Sequence, residues 1–460
     1  MSKRFNQVGL AVLILCGSQA VAQPPELDVA QVEIAKVTEL LEQLTLTYGR
    51  TDRRLLEPLQ TLSNQLLELG RYDDAHLALD HAIQITRFSD GLYAQSQTPF
   101  LLGKVENYAN RGDWLHANEA MDHLAWLLSR GENSIDKQLI DSLLSLTDLH
   151  LRGIAEDQLS QQVYHFRKAA AANQIALRAA KGAWGAADRR LPPMMYKLVV
   201  QHYMQAQAVE AGGATGSSLR TYSSSTGMTR TRRDTRQGYY YGGLRLLADM
   251  RNLYSNQEPP DLQGIALSDI YIADWSVLFS DSEGARRAYE RGTQILLEAG
   301  IDGAAIDRFF QNPVLLPATV FYPSWIEAQA ATFASTNEQP AASNQVATLS
   351  FQQWSPNFPT VRAPAEIELT GSQAVNDTEG AIFSFSLSGL EKVSRWHRGR
   401  YATFISVAQN LQMLQQSFLA PVDQLELQES VLALRFRPKL IDGVPQTVNA
   451  TLLYQMATAD

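Results

Sequence analysis

The sequence predicts a mainly α-helical chain, with stacked helical hairpins over its first two thirds and a small α+β module at its C-terminal end. Three observations predict this. Apolar residues recur at three- and four-residue spacing from Leu27 to about Phe310, with frequent Ala, Leu and Gln and few β-branched runs, as in helices that bury one face. The segment "GRYDDAHLALDHAI" (70–83) returns as "GDWLHANEAMDHLA" (112–125), an offset of 42 residues. From residue 380 the apolar period drops to two, the period of strands.

At the N-terminus, Lys3 and Arg4 precede an apolar run from Val8 to Cys16, and Gly17-Ser18 leads into Ala20-Val21-Ala22. This is the layout of a secretory signal peptide over residues 1–22, with cleavage expected before Gln23. The run is roughly half of what a membrane-spanning helix needs; retention as an inner-membrane anchor facing the periplasm is the alternative. Leu15 stands where a lipoprotein signal carries a small residue, which argues against lipidation of Cys16. Cys16 is the single cysteine, so the mature chain would hold no thiol, excluding disulfides, thiol catalysis and cysteine-ligated metal. Losing Lys3 and Arg4 takes the formal charge from −9 to −11, an acidic balance with no footprint for nucleic acid. The expected location is the periplasm.

Residues 23–312 are expected to form the helical domain. The repeat superposes Gly70 on Gly112, Tyr72 on Trp114, Ala75 on Ala117, Ala78 on Ala120 and His81 on His123. Glycine suits a left-handed helix end, the aromatic wedges the turn, and the alanines let the second helix come close. A third copy of the second half is "EGARRAYERGTQIL" (283–296), where Ala285, Ala288 and Tyr289 take the places of Ala75, Ala78 and Leu79; "LSDIYIADWSVLF" (267–279) is its expected first helix. A fixed period of this kind marks stacked helical hairpins. The pattern resembles tetratricopeptide repeats in a long-period version, which implies a groove for a protein partner. The segment 134–211 reads as helix without a clear repeat.

His81 and His123 hold equivalent repeat positions, so the repeat itself accounts for their pairing, and no metal is expected. His76, His116, His150, His165, His202 and His397 form no ligand spacing of the kind zinc uses. Residues 211–238, rich in Gly, Ser, Thr and Arg, are expected to be a flexible loop, with the next helix starting at Tyr239–Tyr241. "GGATGSS" lacks the Lys-Ser/Thr ending of a phosphate loop. Arg220, Arg230, Arg232, Arg233 and Arg236 face only Asp234 there, which makes them the candidate contacts for an anionic partner.

Pro313, Pro317 and Pro323 forbid a regular helix. Residues 313–360 are accordingly expected to lie extended against the helices up to about Trp325 and to continue as linker through "STNEQPAASNQ" (335–345). In the module 361–460, "GAIFSFSLSG" (380–389) alternates serines against Phe383, Phe385 and Leu387, as in a half-buried strand. A helix is expected over "YATFISVAQNLQMLQQSF" (401–418). In "ALRFRPKLIDGVPQTVNATLLYQ" (433–455) Pro438 ends a basic-aromatic run, Asp442-Gly443 supplies a turn and an alternating strand follows, a terminal hairpin.

That last stretch resembles the signature near the end of TonB C-terminal domains, at Phe436, Arg437, Pro438, Gly443, Pro445 and Val448. "GAIFSFSLSGLEKV" (380–393), with Gly380 and Gly389, is similar to the first core strand and Gly turn of that family. The resemblance covers about a quarter of the chain. It implies a domain that binds short segments of outer-membrane transporters by adding a strand to an open sheet edge.

No Gly-x-Ser-x-Gly elbow, His-Glu-x-x-His, Walker loop or dinucleotide fingerprint occurs. "RWHRGR" (395–400) reads as a solvated basic loop. The expected function is therefore non-enzymatic: a cell-envelope scaffold with a helical groove for one protein partner and a TonB-like domain that docks a second, either an outer-membrane transporter or a TonB-system component. No cofactor, catalytic residue or nucleic acid is expected. The alternative is an energy-transduction component retained in the inner membrane.

Overall fold

The computed structural model describes residues 25–130, 137–220, 222–223, 228–311, 313–318, 320–334, 360–361, 380–397, 400–417 and 424–455. The expected signal peptide and the expected linker over 335–345 lie outside them. The chain is mainly helical, with a small strand-containing region at its C-terminal end. Two compact units divide it after Gly103.

The first unit holds α1 (Pro25–Tyr48), α2 (Leu56–Glu68), α3 (Tyr72–Asp90) and the start of α4 (Thr98–Asn110). Leu59 and Leu66 of α2 and Ala75, Leu79 and Ala82 of α3 are buried, and the two helices pack on each other. The turn between them is made at Gly70, whose φ is +68°; Gly70 N–H donates to Leu67 O and Arg71 N–H reaches back to Leu66 O. Those bonds satisfy carbonyls that a helix end leaves open.

The second unit continues with α5 (Trp114–Arg130), α6 (Lys137–Glu156), α7 (Gln162–Trp184), α8 (Leu191–Ala211), α9 (Gly213–Ser218), the short hairpin β1 (Tyr222–Ser223) and β2 (Met228–Thr229), α10 (Arg232–Ser255), α11 (Leu262–Leu278), α12 (Ser282–Glu298) and α13 (Gly303–Phe309). The turn before α5 repeats the one described above, with Gly112 at φ +71° and Asp113 N–H on Tyr108 O. Before α12 the same bonds form around Ser280 at φ +65°, where Asp281 then caps α12 by accepting from Gly284 N–H. Ala285, Ala288 and Tyr289 are fully buried against α11. A helix buried on nearly every side, α11 is flanked by α10 and α12.

The described residues of 211–238, which leave out 221 and 224–227, are not one flexible loop. They contain α9, β1, β2 and the first turn of α10, which starts at Arg232 rather than near Tyr239. The physical reason is the N-cap: Thr231 Oγ1 accepts from Asp234 N–H at 3.1 Å and donates to the Asp234 carboxylate at 2.7 Å, a side-chain cap that starts a helix in a Gly- and Arg-rich stretch.

In the Pro-rich segment the residues Val314–Leu316 are extended. Its strand β3 (Val314–Leu316) is followed by carbonyls of Ala318 and Val320 that accept from Tyr196 and Tyr271 hydroxyls of α8 and α11. Helix α14 (Trp325–Ala334) then forms where linker was expected; Ser324 Oγ accepts Glu327 N–H and the run is Ala-rich.

The C-terminal strands are β4 (Thr360–Val361), β5 (Gly380–Leu387), β6 (Val393–His397), β7 (Arg400–Phe404) and β8 (Ala408–Ser417). After them come α15 (Gln424–Ala433), β9 (Arg435–Arg437), β10 (Leu440–Ile441), β11 (Val444–Pro445) and β12 (Val448–Gln455). One antiparallel sheet has the order β4-β12-β5-β8. Phe383, Phe385, Leu387 and Leu452 form its buried face, closed by Val431 of α15 and Phe436 of β9.

Two sequence expectations are corrected here. The described residues of 401–418 form β7 and β8, not a helix. Ser406 and Asn410 sit at φ +49° and +52°, and two register shifts break the β5–β8 ladder, so the twofold period is interrupted and the surviving apolar spacing imitates a helix. The terminal hairpin is also different. Asp442-Gly443 does turn the chain, with both φ positive as a two-residue hairpin requires, but it joins only β10 to β11. β9 pairs with β3, and β12 with β5 and β4.

Candidate functional site

The sheet and its anchorage form the candidate interaction site. The basic-aromatic run Arg435-Phe436-Arg437 has each side chain assigned to a different task, and all three are buried. Phe436 fills the core of the sheet, with its ring centroid 5.5 Å from that of Phe385. Arg435 turns to the C-terminal end of α15 and donates to the carbonyls of Ala433 and Leu434 at 2.7 and 2.9 Å. Arg395 of β6 donates to Leu432 O at the same helix end. Two cations thus meet the negative end of the helix dipole, and both guanidinium groups lie over the Phe404 ring, at 4.9 and 4.4 Å for Arg395 and Arg435. Burial lowers the pKa of Arg435 to about 10, which leaves it charged at neutral pH.

Arg437 points the other way, into the helices. Its guanidinium contacts both carboxylate oxygens of Asp274 on α11, Nε to Oδ1 at 3.0 Å and Nη2 to Oδ2 at 2.6 Å. Tyr289 of α12 donates to Asp274 Oδ1 at 2.7 Å. Burial acts to lower the Arg437 pKa, but the charge and hydrogen bonds of Asp274 overcome it and hold it above the ordinary arginine value. Five residues earlier on α11, the fully buried Asp269 takes Arg251 of α10 and Arg291 of α12. The two carboxylates make α11 the place where neighbouring helices and the strand module are joined.

The module presents β8 at one margin of its sheet. Among the described residues no strand pairs with the outer side of β8, which makes it an edge strand of that sheet. Leu414 is 45% exposed on it. The β6–β7 hairpin carries a second exposed feature, with Trp396 directly opposite Tyr401 in register and their rings 5.3 Å apart. They are 63% and 77% exposed, whereas Phe404 on the opposite face of the hairpin is buried. The side chain of His397, within the segment expected as a basic loop, lies outside the described residues.

The framework residues named from the sequence divide clearly. Gly70 and Gly112 make helix-hairpin turns, Tyr72 and Trp114 begin the helices that follow, and Ala75, Ala117, Ala285 and Tyr289 are buried. Gly380 opens β5, Gly389 and Gly443 take positive φ in turns, Pro438 follows β9, and Val448 opens β12 against Leu387.

The five arginines differ in their surroundings. Arg236 pairs with Glu210 at 3.0 Å and lies 4.7 Å over the Phe279 ring. Arg232 packs over Gly212, where an added Cβ would come within 2.7 Å of its guanidinium. Arg220 is partly buried, and Arg230 and Arg233 are exposed.

Sequence spacing also missed a buried polar chain between α6 and α7. His150 and His165 meet through Nδ1 atoms 3.1 Å apart, and His165 Nε2 lies 3.0 Å from Asp157 Oδ2, which also accepts from Asn118. With the carboxylate accepting from His165 Nε2–H, the neutral ring presents Nδ1 as an acceptor to His150 Nδ1–H. Burial, followed by the proximity of His165, lowers the His150 pKa to about 3; burial lowers His165 as well. The relevant signal was the pair of helical registers that brings positions 150 and 165 together, invisible to ligand spacing along the chain.

No family model and no curated protein matches the chain. Among solved structures it is similar to the crystal structure of BtubC (BKLC) from P. vanneervenii, at 14% identity and a TM-score of 0.37, over 60% of this chain and 93% of that one. A likeness of that size carries no argument, and function is inferred from this chain's own residues.

Proposed function

We propose that this protein is a non-enzymatic periplasmic scaffold. Its tetratricopeptide-like helical hairpins, stacked as a solenoid, provide a groove for one protein partner. Its C-terminal module, similar to TonB C-terminal domains, docks a second by strand addition, the expected partner being an outer-membrane transporter or a TonB-system component. The observation that supports this reading best is the ten-residue strand β8 at the sheet margin, beside a hairpin that displays Trp396 and Tyr401. Strand addition draws affinity from main-chain hydrogen bonds and specificity from side chains at alternate positions, and the exposed aromatic pair would supply the latter.

A photo-crosslinking residue at Leu414, in cells that express the full chain, tests the docking. The expected product joins β8 to an extended segment of one envelope protein and disappears when that segment carries a proline. A matched probe at Leu159, exposed in the α6–α7 connection, is the control. Equal labelling at both positions would remove the strand-addition reading.

The apolar run Val8–Cys16 favours a second reading, a TonB-type energy transducer held in the inner membrane. No helix among the described residues is long and apolar enough to cross a membrane, so this run would have to serve as the anchor. Determining the first residue of the native protein and its cell fraction separates the readings: Gln23 in the soluble fraction supports the scaffold, and Met1 in the inner membrane supports the transducer.

A further inference from the structure

A cleft of about 680 Å³ lies where the α7–α8 connection, the end of α10, the start of α11 and the segment before α14 come together. This is within the size range of small-ligand sites. Its walls include Pro259, Pro260 and Pro323, an apolar lining, together with Arg189, Tyr254 and Gln257.

The three polar residues have an unusual hydrogen-bond pattern. Arg189 Nε donates to Gln257 Oε1 at 2.9 Å, which fixes the amide so that its oxygen is used and its NH2 is left over. Gln257 Nε2 is buried and has no partner. Tyr254 is only 1% exposed, yet its hydroxyl also has no partner. Burial, followed by the nearby charge of Asp261, raises the Tyr254 pKa, so the phenol stays protonated and can donate. Buried polar atoms in native proteins are normally paired, and an unpaired one carries a desolvation penalty of about 1–3 kcal/mol. Two such donors on residues that line one cleft, beside an Arg189 side chain that is 69% exposed, mark this as the place to look for an acceptor.

The charge around it limits that acceptor. Arg189 Nη2 is 3.7 Å from Asp261 Oδ2, and Glu258 also lines the cleft. One partly shared cation with two neutral donors, next to two carboxylates, suits a single negative charge and disfavours a phosphate dianion. The proline walls suit an apolar group attached to that charge. Arg190 is otherwise engaged, bidentate on Asp188 and 3.9 Å over the Trp184 ring.

We propose that this cleft binds a carboxylate carried on an apolar chain, by Arg189, Tyr254 and Gln257, with the C-terminal end of a peptide or a small aliphatic acid as its source. The proposal does not rest on strand addition, since none of the residues that line the cleft belongs to β8. Calorimetric titration of the full chain with N-acetyl-Gly-Ala-Leu, its C-terminal amide and isovalerate tests it. Binding of the free-acid peptide and not of the amide is expected. Equal affinity for isovalerate would assign the same carboxylate site to small acids.

Tyr254→Phe should weaken binding about tenfold, the loss of one hydrogen bond to a charged group, without lowering the thermal midpoint, because the deleted hydroxyl has no protein partner. Arg189→Gln should weaken binding by at least as much. Absence of binding at millimolar concentration, equal binding of acid and amide, or affinity unchanged in both variants would overturn the proposal.

Discussion

Replacing Asp274 by Asn should destabilise the unit from Lys104 onward by about 3–5 kcal/mol, the usual effect of removing one partner of a buried ion pair. The geometry sets that magnitude. The two side chains are 5% and 3% exposed, so water cannot replace the lost charge, and salt cannot screen the pair as it would a surface contact. Asparagine can still accept from Tyr289, but its amide offers only one oxygen to a guanidinium that now uses two, and Arg437 is left as a buried uncompensated cation.

Urea unfolding followed by far-ultraviolet circular dichroism, with Tyr and Trp fluorescence as a second probe, measures the change. Arg437→Met should show a similar loss, since Asp274 is then stranded. The double variant Asp274→Leu/Arg437→Met should be much closer to the parent than the two single losses combined, because neither charge remains buried. The reasoning fails if Asp274→Asn shifts stability by less than about 1 kcal/mol, or if the two single effects simply add.

Stability should fall as the solution is acidified below about pH 6.5, the ordinary His value. His150 and His202 have folded pKa values of about 3 and about 4. The unfolded chain therefore binds more protons than the folded one between those values and 6.5, and stability is lost as pH falls. At pH 5 each should contribute a loss of roughly 2 kcal/mol, and His150→Gln should flatten part of the slope in urea titrations at pH 5 to 7.5. Gly153→Ala should lose about 2–3 kcal/mol by thermal denaturation, since the new methyl would lie 2.3 Å from the His165 ring, which Asp157 holds in place. Gly112→Ala meets no atom within 4 Å, so its effect should be the left-handed backbone strain alone, about 1 kcal/mol; a loss above 3 kcal/mol would mean a contact rather than a dihedral is responsible.

Much of the candidate site was legible as composition and only partly as structure. The alternation in Gly380–Leu387 foretold which side chains face the core, because a strand's period of two is local and depends on nothing beyond the strand. The Asp442-Gly443 turn was legible for the same reason. Its partners were not: β9 pairs with β3, 121 residues earlier at the Phe436–Leu315 step, and no local pattern encodes which of several short strands will meet. The helix expected over 401–418 failed because a bulged strand has no clean period, and the flexible loop expected over 211–238 failed because composition outweighed the Thr231–Asp234 cap.

By itself the sequence determined where helices begin and end in the repeated hairpins, since Gly at the turn and Ala at the close contact act within a few residues. It also determined the class of the C-terminal module, the acidic charge and the lack of usable thiols in the described chain. Only the tertiary structure decided that Arg435 caps a helix, that Arg437 is neutralised by Asp274, that Arg236 pairs with Glu210, and that Tyr254 and Gln257 share a cleft. Each of these is a pairing of charges or polar groups over long sequence separations. Burial makes such pairings compulsory, because an unpaired polar group away from water is unfavourable, but the identity of the partner follows from which surfaces the packed helices bring together.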